Sequence, residues 1–282
     1  MNTPLRKHEA GGPRPLPAFM PLLCLLVLCF AGCGADYRAQ VEKTRQRMTL
    51  LDEENALLEG AASFPPSETP IFFRPPRGVA VQPSAKAYPP SDWLNHLAWN
   101  ERRFLAPPLE VFVGAAKKQG AERLEDFLQN KVLEYLRQHA DERLTARPGE
   151  APRDLTLTRQ TDPPQERRPI PYRHFAYRSE QESPQWPAPD RPRLPQRCTY
   201  HYDVYLTDSA EQWGVVVFKS LNIEATLDAW RKAAAPSELI MRLPQKSALQ
   251  MDPATGLETK ECSLATLIIG ARARARLRLL ER

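Results

Sequence analysis

The distribution of proline constrains this chain more than any other feature. Of the 29 prolines in 282 residues, 21 lie between Ser63 and Pro195. Proline donates no backbone hydrogen bond, breaks helices and is excluded from central strands. Residues 61–92 are therefore predicted to form a Pro-rich linker, and a second stretch near residues 161–196 is predicted to form a surface loop.

An amphipathic helix is predicted before the linker, within residues 33–60. Apolar and small residues recur there at alternating steps of three and four, which is the a and d seam of a coiled coil, and an asparagine at an a position can fix register. Two interpretations stay open: self-association through residues 37–59, or a single stalk helix that is exposed or packs on its own domain. The seam residues are Val41, Thr44, Met48, Leu51, Asn55 and Leu58.

Charges beside this seam are mixed. Arg47 and Asp52 take g and e positions that attract in a parallel dimer. Glu54 and Glu59 take the equivalent positions one heptad later, where they repel. The charge pattern alone does not decide between self-association and a single helix.

Residues 93–282 are predicted to form one α+β domain, with a mostly antiparallel sheet and helices on one side. Helical periodicity is strongest over residues 120–144 and recurs over 223–234. Apolar and polar residues alternate in several short stretches, which predicts strands. The predicted strands cover residues 109–113, 154–160, 172–178, 198–206 and 213–218, and residues 239–243 and 263–269 are further strand candidates.

Four arginines near the C-terminus, Arg272, Arg274, Arg276 and Arg278, alternate with apolar residues. We predict a strand here, because all four then share one face, although Ala, Arg and Leu also favour a helix. The resulting basic surface has two interpretations. It contacts anionic lipid head groups, or it keeps an edge strand from pairing with other edges, and we favour the second.

Net charge gives no support for nucleic-acid binding. The chain carries +5, with a calculated pI of about 9.0. Residues 1–32 contribute +2 and residues 272–282 contribute +4, which leaves the rest of the chain near −1. The basicity therefore belongs to the two ends of the sequence, and we predict no nucleic-acid partner.

The N-terminal segment has the features of a secretory signal. Basic residues precede an apolar run from Phe19 to Ala31, and 13 residues are fewer than the roughly 20 that cross a membrane as a helix. The run closes with Phe30-Ala31-Gly32-Cys33. This sequence resembles the lipobox of bacterial lipoproteins, in which small residues precede the cysteine that becomes acylated. Phe30 departs from the leucine that is usual at that position.

The resemblance covers about 33 residues and implies an anchor. Residues 1–32 are then a signal peptide that is removed, and Cys33 carries a diacylglycerol thioether and commonly a further acyl chain such as palmitate. Two or more acyl chains hold a protein stably at a membrane. Gly34, in place of the aspartate that retains many lipoproteins at the inner membrane, favours the outer membrane, with the domain facing the periplasm or the exterior. The alternatives are a cleaved signal without lipid and an uncleaved anchor.

The sequence contains no catalytic signature and predicts neither a metal nor a cofactor. Cys198 and His201 have a ligand-like spacing, but an odd offset on a strand puts their side chains on opposite faces. One acid–base cluster is conceivable from scattered residues, if folding brings His174, His201 and Asp203 together. Ordinary strand polar groups are the simpler interpretation.

The number of cysteines is compatible with one disulfide but does not require it. If the signal peptide is removed and Cys33 is acylated, Cys198 and Cys262 are the two cysteines that remain. An even pair in an oxidising compartment favours a disulfide, and two buried thiols are the alternative.

The sequence therefore predicts an envelope lipoprotein with a non-enzymatic binding or scaffolding role toward an unknown envelope protein. The alternatives are a lipid-tethered hydrolase, and a module that binds a lipid or small ligand on the aromatic face of its sheet.

Overall fold

A computed structural model describes most of the chain beyond the N-terminus. Residues 1–18 lie outside the described residues, and so do the side chains of residues 19–35, which include Cys33 and the predicted lipobox. Two parts of the predicted Pro-rich loop, 159–168 and 183–196, also lie outside them. The described residues are 19–62, 64, 69–81, 92–99, 107–140, 143–158, 169–182, 197–244 and 253–280.

The chain divides into two compact units, Met1–Thr49 and Leu50–Arg282. Helix α1 (Phe19–Leu57) supplies the described part of the first unit, and its side chains from residue 36 to residue 49 are exposed. Among the described residues, no helix combines the length and the apolar character needed to cross a membrane.

A large antiparallel sheet forms the centre of the second unit. Within the described residues its strand order is β2-β3-β4-β9-β8-β7-β5, and β6 also pairs with β7. A shorter pairing joins β1 (Ile71–Phe72) to β10 (Ile268–Ile269). The strands of the large sheet are β2 (Val79–Val81), β3 (Leu94–Trp99), β4 (Leu109–Lys117), β5 (Thr145–Ala146), β6 (Arg153–Thr158), β7 (Pro169–Glu182), β8 (Arg197–Asp208) and β9 (Gln212–Leu221).

Alternation along β8 and β9 gives the sheet two buried faces. Tyr202 and Val204 belong to one apolar core, whereas Tyr205 belongs to the other. The first core is covered by α2 (Leu124–Phe127), which continues as wider π-helical turns over Leu128–Leu133 and Leu136–Ala140, and by α3 (Ile223–Lys232) and α4 (Ser237–Ile240). The second core is covered by α5 (Pro253–Ala265) and by residues 69–81, which we call the strap.

The predicted α+β class with a mostly antiparallel sheet is confirmed. The predicted helices over 120–144 and 223–234 lie on one face of this sheet. The strand candidate at 239–243 is wrong, since these residues end α4 and form the turn after it, and in 263–269 only Ile268–Ile269 is strand. The opposite face is also covered, by α5 and the strap, so apolar residues alternate to both sides of the strands and both sides are buried.

The strap lies within the predicted Pro-rich linker of residues 61–92 but packs as part of the domain. Phe73 is completely buried, and β2 in the strap extends the large sheet by pairing with β3. Burying Ile71 and Phe73 removes apolar surface from water and so stabilises the packed strap. This gain offsets the backbone hydrogen bonds that the neighbouring prolines cannot donate. Residues 69–81 thus belong to the domain, whereas residues 82–91 lie outside the described residues.

The C-terminal strand prediction is wrong, because Ala271–Leu280 form helix α6. Gly270 has a φ of 74°, which ends β10 and turns the chain into the helix. Ala273 then packs with no exposure, a position that a small residue fills well. The high helix propensity of Ala, Arg and Leu decides the conformation over the period-two alternation.

Candidate functional site

A buried carboxylate, Asp203 on β8, is the centre of the most chemically complex cluster in the described residues. The imidazole Nε2 of His174 lies 3.0 Å from its Oδ1, and the guanidinium Nη2 of Arg147 lies 3.1 Å from the same oxygen. The ammonium group of Lys260 donates to its Oδ2. Asp203 is only 5% exposed, so this centre lies inside the domain.

The register of β7 with β8, together with α5 and the turn after β5, assembles this centre. Asp203 opposes Ala176 on β7, which puts His174 two residues along the neighbouring strand and on the same face. Lys260 reaches the face from α5, and Arg147 reaches it from the turn after β5. The sequence thus brings β5, β7, β8 and α5 to one point.

Opposing influences set the charge state of Asp203. Burial alone raises the pKa of this carboxyl group, but the hydrogen bond from His174 and the charges of Lys260 and Arg147 outweigh it. The pKa of Asp203 therefore lies well below its ordinary range, and the group is ionised at neutral pH.

Both ring nitrogens of His174 have protein partners. Its Nδ1 accepts from the Nε of Arg153 at 3.2 Å, so the proton resides on Nε2, which donates to Asp203. The ring also stacks on Tyr205, with centroids 4.6 Å apart. A general base needs a nitrogen that can accept a proton from a substrate, and neither nitrogen of this buried ring is available for that without rearrangement.

The acid–base cluster of His174, His201 and Asp203, which the sequence left as the less simple interpretation, is not assembled as a unit. His174 and Asp203 are paired, whereas the Nε2 of His201 accepts from the Nδ2 of Asn222 at 3.2 Å. Burial and the nearby charge of Arg147 lower the pKa of His201, which keeps this ring neutral at neutral pH.

A second buried carboxylate, Glu110, lies on the opposite face of the sheet and was not identified from the sequence. Its Oε2 lies 2.6 Å from the Nζ of Lys219, its direct cross-strand partner, and its Oε1 lies 2.9 Å from the Nε2 of His96. Burial raises the pKa of Glu110, but Lys219 and His96 outweigh it and lower the value to about 2. Aligning β4 with β9 in register would have found the Glu110–Lys219 pair.

Neither centre resembles a metal site. In the part of the chain that the structure describes, no group of three or more His, Cys, Asp or Glu side chains is arranged to hold a metal ion. Cys198 is buried in the first core, and His201, three residues further along β8, points to the other face.

The disulfide between Cys198 and Cys262 is not formed, and the sheet explains why. Cys198 is buried on the face covered by α2 and α3, whereas Cys262 is carried by α5 on the other face. A disulfide requires Cα atoms about 4.4–6.8 Å apart, and an intact sheet between the two residues prevents that approach.

The exposed apolar side chains of the described residues concentrate on α1. Tyr37 is 68% exposed, Val41 is 47% exposed and Met48 is 54% exposed; Met241 is the one further example among the described residues. Val41 and Met48 are predicted a positions, and Tyr37 takes the preceding d position. The upper part of the predicted seam is thus a solvent-exposed apolar stripe.

The end of α1, in contrast, is bound to the strap. The guanidinium of Arg74 donates to the Oε2 of Glu54 at 3.2 Å, to the Oδ1 of Asn55 at 2.8 Å and to the carbonyl oxygen of Glu59 at 2.8 Å. The Oε1 of Glu59 also accepts from the backbone of Gly78. Glu54 and Glu59, which repel in a parallel dimer, are therefore held by groups of their own chain.

The four C-terminal arginines do not form the shared face expected of a strand. On α6 they are distributed around the helix, since successive residues rotate by about 100°. Arg272, Arg274 and Arg278 are exposed, whereas the guanidinium of Arg276 lies 5.4 Å from the ring of Phe72 in the strap.

Comparison with known proteins identifies no family. No family model matches the sequence, and no curated protein matches it significantly. Weak structural similarity exists to the Ran-binding protein Mog1p of Saccharomyces cerevisiae, with a TM-score of 0.37 and 10% identity over 70% of this chain and 89% of Mog1p. A mutant of protein Mog1 gives a TM-score of 0.36 with the same identity and coverage.

Proposed function

We propose that this chain is a lipid-anchored lipoprotein of the bacterial cell envelope, whose domain binds or scaffolds another envelope protein without catalysing a reaction. The observation that carries the proposal is the sequence Phe30-Ala31-Gly32-Cys33 at the end of a short apolar run. Acylated Cys33 supplies the anchor, and Gly34 favours the outer membrane, with the domain facing the periplasm or the exterior.

The hydrogen-bonding groups of the buried Asp203 and His174 already have protein partners, which supports a non-catalytic role. Both oxygens of Asp203 and both ring nitrogens of His174 are bound to protein groups, and these bonds tie strands to α5. Networks of this kind favour one arrangement of the elements, because an unpaired buried charge is costly. A tethered hydrolase needs one of these groups to be released toward a substrate.

The covered aromatic face also favours a scaffold over a ligand-binding module. Tyr200 and Tyr202, on the face proposed to hold a lipid or small ligand, are buried among the residues of the first core. Binding between a domain surface and a protein partner requires no opening of that core.

Intact mass spectrometry of membrane-extracted protein tests the anchor. The wild type is expected to begin at Cys33 and to carry the mass of its acyl chains, and Cys33→Ser is expected to lose both the processing and the added mass. Cys29→Ser is the matched control, because this cysteine lies in the same apolar run but follows the bulky Leu28. A wild-type protein without acyl mass would contradict the proposal.

Chemical cross-linking in intact cells tests the partner. The wild type and Cys29→Ser are expected to give a discrete adduct with one other protein. Cys33→Ser, which keeps its uncleaved signal and lacks the acyl chains of the outer-membrane form, is expected to lose it. Failure to detect any adduct other than copies of this chain would contradict a binding role.

A further inference from the structure

The exposed stripe of α1 has the spacing of a coiled-coil interface. Tyr37, Val41, Thr44 and Met48 follow steps of four, three and four, and three of them are large apolar side chains exposed by about half or more. Thr44 donates its hydroxyl group to the carbonyl of Gln40 at 2.8 Å, so its polar group is satisfied within the helix. Large exposed apolar stripes on a helix mark interaction surfaces.

The lower part of the predicted seam has a different role. Leu58 is buried, and the side chain of Asn55, although exposed, accepts a hydrogen bond from Arg74, so both positions have partners in their own chain. Among the described residues, the side chains of Tyr37, Val41 and Met48 remain largely exposed. The interface that remains for a partner comprises the four layers from Tyr37 to Met48, which we call the upper seam.

We propose that the upper seam pairs with the upper seam of a second copy of this chain in a parallel, in-register coiled coil. A heptad seam is self-complementary in this arrangement, because each a or d residue meets its own counterpart. The proposal chooses self-association over the single stalk helix that the sequence also allowed. The orientation and local concentration of the two chains rest on the proposed lipid anchor.

Charges flanking the upper seam favour the parallel arrangement. In a parallel pair, Arg47 at g faces Asp52 at the next e position of the other chain, and both side chains are exposed. In an antiparallel pair over the same four layers, e positions face e positions, so Arg38 meets Arg45 of the other chain. The first arrangement attracts and the second repels, and e and g charges set orientation in coiled coils.

Four layers are short for a coiled coil in water, since short helices are marginal when isolated. Acyl anchors change this balance. Two chains anchored in one membrane near their N-termini have a high effective concentration and the same orientation, and both effects favour parallel pairing. The tethered protein is therefore expected to pair where a soluble form pairs weakly.

Disulfide trapping in membranes tests the pairing with the full lipoprotein. Val41→Cys and Met48→Cys, both at a positions, are each expected to give a disulfide-linked homodimer under mild oxidation. Gln46→Cys, at the outer f position of the same exposed helix, is the matched control and is expected to give no more dimer than the wild type. Equal yields at positions 41, 46 and 48 would overturn the proposal.

Orientation is tested by mixing two tagged variants. Tyr37→Cys and Met48→Cys lie about 16 Å apart along a parallel pair, at 1.5 Å per residue, but share a layer in the antiparallel pair. No heterodimeric disulfide is expected, and a strong one would overturn the parallel arrangement.

Charge reversal tests the flanking ion pairs while the reporter cysteine stays at position 48. In the Met48→Cys background, Arg47→Asp is expected to lower the dimer yield by about threefold or more, because two attractive pairs become repulsive. Adding Asp52→Arg is expected to restore it. Failure of this restoration would contradict the assigned pairing.

Intact mass of the same preparations separates the two proposals. Acylated protein that gives no trapped dimer overturns the coiled coil and leaves the lipoprotein proposal standing. Protein without acyl mass refutes the anchor, whatever the trapping yield.

Discussion

Asp203 shows how much of this fold depends on one side chain. Its carboxylate is the shared partner of His174, Lys260 and Arg147, which come from three different elements. Removing one member of a buried ion cluster leaves the remaining charges without compensation, which is far costlier than losing an exposed pair.

Asp203→Asn is therefore expected to lower the free energy of unfolding by about 3 kcal/mol, near the lower limit for a broken buried pair because Lys260 and Arg147 retain some access to solvent. Denaturant unfolding monitored by circular dichroism measures this change. Asp208→Asn is the matched control on the same strand: Asp208 pairs with Lys118 at 3.1 Å but is exposed, so a change within about 0.5 kcal/mol is expected. Equal losses in the two variants would contradict a structural role for the buried centre.

Glu110 predicts a pH dependence of stability. Its pKa is about 2 in the folded protein against an ordinary value of 4.5, so the folded state favours the ionised form. This contribution, of about 3 kcal/mol, is fully present above pH ~5 and is lost as the pH falls from about 4.5 toward 2. The depressed pKa of Asp203 acts in the same direction.

Denaturant midpoints measured between pH 7 and pH 3 check this expectation. The wild type is expected to lose stability steeply below pH ~4.5. Glu110→Gln is expected to be less stable at pH 7 and to have a shallower dependence on pH in the acidic range. Parallel curves for the two proteins would show that Glu110 does not carry the effect.

Two residues of the Asp203 centre were visible in the sequence as a less simple alternative. His174 and Asp203 lie on strands whose alternation is visible in the sequence, so their shared face could be anticipated. Lys260 and Arg147 could not, since each is more than 50 residues from Asp203 and approaches it from α5 or a turn. Such contacts follow from tertiary packing and leave no local pattern.

At the scale of elements, the strap and the end of α1 act together. Arg74 is the point of attachment, because one guanidinium binds Glu54, Asn55 and the carbonyl of Glu59. The last turns of α1 are therefore held by the strap in addition to their own backbone hydrogen bonds.

Arg74→Ala is expected to loosen these turns without unfolding the domain. Amide hydrogen exchange over residues 50–58 is expected to speed up by about tenfold or more, corresponding to the loss of one or two charge-assisted hydrogen bonds, whereas exchange in β8 and β9 stays unchanged. Arg77→Ala, which truncates an exposed side chain of the same strap, is the control and is expected to leave exchange over 50–58 unaltered. The same exchange rates over residues 50–58 in both variants would argue against this role of Arg74.

Helix α6 gives a test that distinguishes helix from strand. Ala273 and Ala275 share one face of a strand, but on α6 Ala273 is buried and Ala275 is exposed. Ala273→Asp is expected to lower the free energy of unfolding by about 2 kcal/mol or more, because it buries a charged group. Ala275→Asp is expected to change it by less than about 0.5 kcal/mol, and similar losses in both would favour the strand.

Elements with one clear periodicity were predictable, and ambiguous or very short ones were not. Strands β8 and β9 and helix α3 follow their patterns closely. β1, β2 and β10 contain two or three residues each, too few to show any alternation. In α6 the alternation of arginines competed with the helix propensity of Ala, Arg and Leu, and the helix begins after the turn at Gly270.

At the scale of the whole molecule, the sheet separates two cores and, with them, Cys198 from Cys262. Cys198 and Cys262 are therefore expected to be thiols in the folded protein. Alkylation with iodoacetamide under denaturing, non-reducing conditions, followed by peptide mapping, is expected to modify both. Unmodified peptides joined at these two positions would show that the sheet does not keep them apart.

The pairing of β1 with β10 also sets the order in which the domain can be completed. Ile71 pairs with Ile269. The strap is therefore synthesised nearly 200 residues before its partner strand. During that interval Ile71, Phe72 and Phe73 have no second core to enter, and they form an apolar segment of the nascent chain that invites aggregation. Contacts of such long sequence separation form slowly, since loop closure precedes any gain from them. Until α5 and β10 have been synthesised, the strap therefore adds exposed apolar surface to the incomplete domain.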